Sequence, residues 1–217
     1  MKFVCTLNPN IKGNLKECLM NTIPVPNSLW FPEIKKKLDP IFFENIDKMK
    51  FHDISFEVLK HILNEDIPEN EIKDIINECF NFEMPLININ DNISILELFY
   101  GPTFTFKDVG SRFMARILKY YYPEGTKDFD IIVSTSGDTG SAVADAFQNL
   151  KNVKVHILYP KGLISDVQEK QLTTYGKNIF AYQVDGNFDE CQDLIKKSLQ
   201  ELIGEKFILN EHLLIKT

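Results

Sequence analysis

The chain has 217 residues, 44% of them hydrophobic and 25% charged, proportions of an ordinary globular protein with room for one α/β domain or two small ones. A formal net charge of −7 argues against a nucleic-acid binder, which would carry a basic patch or stripe. No apolar stretch approaches the roughly 20 residues that span a bilayer, so no membrane partner is expected, and the apolar segment at the N-terminus is too short for a secretory signal.

In the first part of the chain, helices and extended segments are expected. Pro24, Pro26 and Pro32, set around Trp30 and Phe31, mark an irregular stretch that cannot be one helix. Ile72, Ile75, Ile76, Cys79 and Phe80 follow i, i+3, i+4, i+7, i+8, the stripe of an amphipathic helix entered through Pro68 near its first turn. Residues 86–89 and 93–99 then read as two strands of a hairpin around Asn90-Asp91-Asn92.

Nine of the ten glycines lie beyond residue 100, where the pattern changes to alternating helices and strands. Val109, Phe113, Ile117 and Tyr121 recur every four residues, predicting a helix that starts just after Lys107-Asp108. Strands follow at 130–135, 153–159 and 179–184, separated by helices at 138–150 and 165–174, the second ended by Gly176. Asn187 with Glu190 three residues on forms a capping-box pair. The helix it opens has Cys191, Leu194, Ile195, Leu199 and Leu202 as its buried stripe and Gly204 as its stop. Phe207-Ile208-Leu209 begins a fourth strand. Alternation at this spacing implies right-handed crossovers and a parallel sheet.

Cys5, Cys18, Cys79 and Cys191 are scattered, with no C-x-x-C pair, and suit a reducing cytoplasm as buried small hydrophobes. His52, His61, His156 and His212 show no metal-ligand spacing, and no metal is expected.

Two segments carry chemistry. Ile131-Ile132-Val133 stops at Ser134-Thr135-Ser136-Gly137-Asp138-Thr139-Gly140, and a small-residue helix begins at once. Such a strand–loop–helix joint turns unpaired backbone N–H groups toward a ligand beyond the carboxyl end of the strand. Its spacing is neither G-x-G-x-x-G nor G-x-x-x-x-G-K-[ST]. Asp138 reads either as the helix N-cap, accepting from the N–H of Gly140 or Ser141, or as part of a ligand-contacting loop. Lys107, between aromatic residues and a helix N-terminus, reads either as a solvated surface lysine or as an amine made nucleophilic by its surroundings, as a Schiff-base lysine must be.

Together and in this order, Glu97-Leu98-Phe99-Tyr100-Gly101-Pro102-Thr103, Phe106-Lys107-Asp108 and Ser134 to Gly140 resemble threonine synthase, a pyridoxal-phosphate enzyme of the tryptophan-synthase-β-like fold (fold type II). The resemblance continues through Leu158-Tyr159-Pro160-Lys161-Gly162, Ser165 with Gln168-Glu169-Lys170, and Gly186 to Cys191, and it takes in Trp30-Phe31-Pro32. It implies an α/β fold with a parallel three-layer sheet, preceded by a mainly helical N-terminal region. The domains expected are residues 1–85, of the N-terminal threonine-synthase type, and 86–217, holding the cofactor lysine and the α/β small domain.

The activity implied is conversion of O-phosphohomoserine and water to L-threonine and phosphate in the cytoplasm, with pyridoxal 5'-phosphate as cofactor. Lys107 would be the catalytic lysine that bonds the cofactor, and Ser136, Gly137, Asp138 and Thr139 would lie beside the cofactor and the substrate's α-carboxylate. Once released, Lys107 would act as base at Cα.

The chain departs from the family in three places. Tyr100 stands where a histidine is usual, the stretch Leu209 to Thr217 leaves the family pattern where a substrate-contacting segment would follow Leu209-Asn210, and the later glycine-rich loop that holds the cofactor phosphate is not found before residue 217. A truncated chain is therefore expected, working as a monomer or with a complementing fragment. The rival readings are an inactive fragment and another lyase of the fold, such as a threonine dehydratase.

Overall fold

The computed structural model describes residues 2–204 apart from 22, 27, 34–36, 64, 126 and 127, together with 212–214. The chain divides into two units, Met1–Asn81 and Phe82–Thr217.

In the first unit, strand β1 (Phe3–Cys5) lies between β2 (Lys12–Gly13) and β3 (Trp30–Pro32), antiparallel to both. These strands are too short to show a period-2 pattern, which is why composition and spacing do not announce the sheet. Asn14 opens α1 (Leu15–Met20) with a capping box. Its side chain accepts from the N–H of Glu17, while the Glu17 carboxylate accepts from the N–H of Asn14. Helix α2 (Pro40–Asn45) is capped by Asp39 and has proline in its first turn, where no N–H is needed.

Helices α3 (Phe51–Leu63) and α4 (Glu69–Cys79) build the unit's apolar core. Ile72, Ile75, Ile76 and Cys79 are buried, as their spacing predicts. Pro68 is the N-cap, and Phe80 closes the stripe with its ring 5.5 Å from that of Phe51, edge to face.

The second unit starts with a hairpin of β4 (Leu86–Asn90) and β5 (Ile93–Leu96), turned by Asn90, whose side chain accepts from the N–H of Asn92. The second strand is shorter than predicted: beyond Leu96 only the Glu97 N–H to Pro85 C=O bond extends the pairing.

Helix α5 (Lys107–Tyr121) begins at Lys107 itself, earlier than expected. Of its predicted stripe only Ile117 is fully buried; Ala115 and Leu118, outside that stripe, are buried as well. A strict four-residue repeat drifts by roughly 40° per step and does not hold to one face of a helix, and Val109, Phe113 and Tyr121 are only partly buried.

The α/β layers follow. They comprise β6 (Phe129–Ser134), α6 (Asp138–Phe147), β7 (Val153–Pro160), α7 (Asp166–Thr173), β8 (Ile179–Val184), α8 (Phe188–Gly204) and β9 (His212–Leu214). The sheet order is β8-β7-β6-β9, and every pair is parallel. Helix α6 stops at Phe147, short of the expected residue 150, because Gln148 turns extended and Asn149 adopts a positive φ of 68°. The predicted strand at 207–209 and the side chains of Leu199 and Leu202 lie outside the described residues.

Ile131 and Val133, Val155 and Ile157, and Val143 and Phe147 are fully buried, and these residues form the core of the sheet and α6. Burying each contributes roughly 1.5–3 kcal/mol. Cys191 and Ile195 of α8, which packs on β6 and β7, are buried as well. No helix among the described residues is long and apolar enough to cross a membrane.

Candidate active site

The carboxyl end of β6 and the start of α5 supply the two halves of the site. Lys107 is the first residue of α5, and the turn before it is fixed by Asp108. This carboxylate is completely buried and accepts from the Thr103 N–H at 3.0 Å and the Thr103 hydroxyl at 2.6 Å. A Cβ on Gly101 would come within 2.4 Å of Asp108 Oδ2, so the turn closes around the carboxylate only with glycine at that position. Phe104, in the same turn, takes a positive φ of 61°. The Lys107 N–H donates to Thr105 Oγ1 at 3.4 Å. The lysine is thus held by its backbone while its side chain, 30% exposed, leaves the helix beside the Phe106 ring, with Nζ 4.6 Å from the ring centroid.

The second half is the loop between β6 and α6. Thr135 is buried, and its hydroxyl oxygen accepts from the N–H groups of Gly137 and Gly140, both at 2.9 Å. Gly137 is the N-cap with φ 129°, a conformation that a side chain would strain. Asp138 is therefore not the N-cap, as one reading of the sequence has it. It is the first helical residue, and Thr135 satisfies the N–H of Gly140 in its place. The Asp138 carboxylate is free to point elsewhere. Its Oδ1 accepts from Gln168 Nε2 at 2.9 Å, and its Oδ2 lies 4.0 Å from Lys107 Nζ.

The structure thus brings Lys107 and Asp138 together, with Gly137 and Thr139 beside Asp138 and Ser136 exposed on the turn. Tyr100 is half exposed, and its hydroxyl donates to Glu97 Oε2 at 2.9 Å. That bond and the charge of Glu97 raise the Tyr100 phenol above its ordinary value. Among the described residues no group of His, Cys, Asp and Glu could hold a metal ion.

Asp108, Thr135 and Gln168 do not stand out as site residues in the sequence. Ser165-x-x-Gln168 signals the cap of α7, but not a contact with a residue 30 positions earlier. A partly exposed primary amine beside a carboxylate and a glycine turn is suited to condense with a carbonyl and to take and return protons.

Residues 85–213 match the family described as pyridoxal-phosphate dependent enzyme, and residues 2–80 match the threonine synthase N terminus. Threonine synthase of Buchnera aphidicola from Schizaphis graminum is 40% identical over 94% of this chain and 49% of its own. That of Escherichia coli is 40% identical over 80% of this chain and 40% of its own. The chain spans about half the length of the relatives it matches.

Among solved structures, Escherichia coli threonine synthase superposes with a TM-score of 0.86 at 34% identity, covering 98% of this chain and 49% of that one. A pyridoxal-phosphate-bound threonine synthase from Brucella melitensis gives 0.87 at 28%, covering 100% and 48%. The fold is therefore the type II fold of these enzymes, and the cofactor of the family is pyridoxal 5'-phosphate. The chain belongs to the pyridoxal-phosphate-dependent enzymes, on their threonine synthase branch.

Proposed function

We propose that this chain carries the lysine-bearing half of a threonine synthase site, at which O-phosphohomoserine and water become L-threonine and phosphate. The observation that carries the reading is the 4.0 Å approach of Lys107 Nζ to Asp138 Oδ2, which joins the two motifs at the carboxyl end of β6. The residues present fit the cofactor's aldehyde end. The Lys107 amine is reachable from solvent, with the exposed Asp138 carboxylate beside it.

When bound, pyridoxal phosphate supplies an electron sink for charge developing at the substrate's Cα. Lys107 then takes the Cα proton and carries protons to the neighbouring carbons, as phosphate leaves Cγ and water adds at Cβ. Asp138 receives the lysine in its ammonium form as an ion-pair partner. Ser136 and Thr139, with the backbone amides of Ser136, Asp138 and Thr139 at the α6 N-terminus, hold the substrate's α-carboxylate.

On this reading residues 1–85 form the N-terminal region of the family, and 86–217 carry the lysine and the small domain. The four cysteines, all buried and none in a disulfide, support a reducing, cytoplasmic setting.

The test is an assay of the chain loaded with pyridoxal phosphate on O-phosphohomoserine and, separately, on threonine. Phosphate release from the first, abolished by Lys107→Ala, is expected. Release of ammonia from threonine instead would favour a dehydratase, and no turnover of either substrate would leave an inactive half.

A further inference from the structure

We propose that Gln168, on α7, is a positioning residue that holds the Asp138 carboxylate toward Lys107; this rests on the role given to Lys107 above. The Gln168 side chain is locked on both sides. Its Oε1 accepts from the Ser165 N–H and the Ser165 hydroxyl, both at 3.1 Å, in the capping box of α7. A backbone N–H can only donate, so the amide oxygen must face Ser165 and the Nε2 must face the other way. There it donates to Asp138 Oδ1 at 2.9 Å, while Asp138 Oδ2 faces Lys107.

The loop is shaped to admit this amide. A Cβ on residue 137 would stand 2.3 Å from Gln168 Cδ, and glycine occupies that position. A capping box is satisfied equally by glutamate or glutamine. The α7 cap alone therefore does not call for an amide, but the contact with Asp138 does, because a second carboxylate would repel the first. The first turn of α7 already carries Asp166 and Glu169. Gln168 thus ties the N-termini of α6 and α7 together beyond the carboxyl ends of β6 and β7. Through Asp138, the α7 cap sets where a negative charge sits beside Lys107.

Gln168→Glu tests this, since it keeps the cap and reverses the contact. Because the cap is kept, α7 should stay folded, with the thermal unfolding midpoint lowered by no more than a few degrees. Without cofactor, the chemical shift of the Asp138 carboxyl carbon at pH 7, followed by NMR, should differ from that of the wild type, because its amide donor is lost. With pyridoxal phosphate and borohydride, labelling of Lys107 should slow about three- to fivefold while surface lysines label as before. The pair Asp138→Asn with Gln168→Glu, which restores an amide–carboxylate contact, should recover part of that rate.

An unchanged Asp138 carboxyl signal together with unchanged Lys107 labelling in Gln168→Glu would overturn the proposal. Asp138→Ala, which leaves the α7 cap intact, serves if Gln168→Glu does not fold. Exchange of the Gln168 side-chain amide protons should then quicken, and unchanged exchange would contradict the contact. Failure of the wild-type chain to label at Lys107 would count against the threonine synthase reading, and the cofactor-free Asp138 carboxyl signal would still decide on Gln168.

Discussion

Thr135 has no exposed surface, and its hydroxyl oxygen takes two backbone N–H groups that the turn would otherwise leave buried without acceptors. Thr135→Val keeps the shape and removes both acceptor contacts, so a loss of about 2 kcal/mol is expected in urea unfolding. Thr135→Ser should lose less, since the oxygen stays. Asp138→Ala should change stability by only about 0.5 kcal/mol, the scale of a surface substitution, where removal of a true N-cap would cost about 1 kcal/mol.

Burial, with the charges of Glu17 and Asp66, pushes the Cys18 thiol up to about 12, and Cys5, Cys79 and Cys191 have no exposed surface. Native protein at pH 8 should therefore give no rapid reaction with a thiol reagent, and all four thiols should react in denaturant. At this scale Lys107 and the 136–139 loop were legible, because residue type and order carry a resemblance. The Thr135 hub and the Gln168 contact were not: each depends on where a side chain points after folding, and Gln168 lies 30 residues from its partner.

Between elements, α5 and α6 are joined by Arg112 and Asp145, 3.4 Å apart with side chains 12% and 13% exposed. The Asp145 carboxyl is raised above the ordinary value because burial outweighs the attraction of Arg112. A raised carboxyl binds its proton more tightly in the folded chain than in the unfolded one. Its charge therefore opposes folding increasingly as pH rises from the unfolded to the folded value. Arg112→Met removes the compensating charge, so a loss of about 3 kcal/mol is expected at pH 7. That loss should shrink as pH falls below the carboxylate range, in unfolding curves taken across pH.

The parallel core was legible at this scale because β-branched runs such as Ile131-Ile132-Val133 end abruptly at polar, glycine-bearing turns. The three-stranded sheet of the first unit was not, since two- and three-residue strands have no measurable period. The start of α5 was placed two residues late because the apolar repeat begins only at Val109, while the helix begins at Lys107.

Across the whole chain, the hairpin has apolar side chains exposed on both faces. Ile87 pairs with Ile95 and Leu86 with Leu96, and all four are between 42% and 63% exposed. Such a ribbon is an adhesive surface. The 217-residue chain is expected to bind a hydrophobic dye, and Ile87→Thr with Ile95→Thr should reduce that binding in a fluorescence titration.

The family, the cofactor and the α/β fold are settled by the match over residues 85–213 and by the superpositions, even though the chain spans about half of its relatives. The central claim is that Lys107 bonds the cofactor. The purified chain is mixed with pyridoxal phosphate, reduced with borohydride and mapped by mass spectrometry. A pyridoxyl group concentrated on Lys107, and lost in Lys107→Ala, is the result expected; no label, or label spread over the surface lysines, would contradict it.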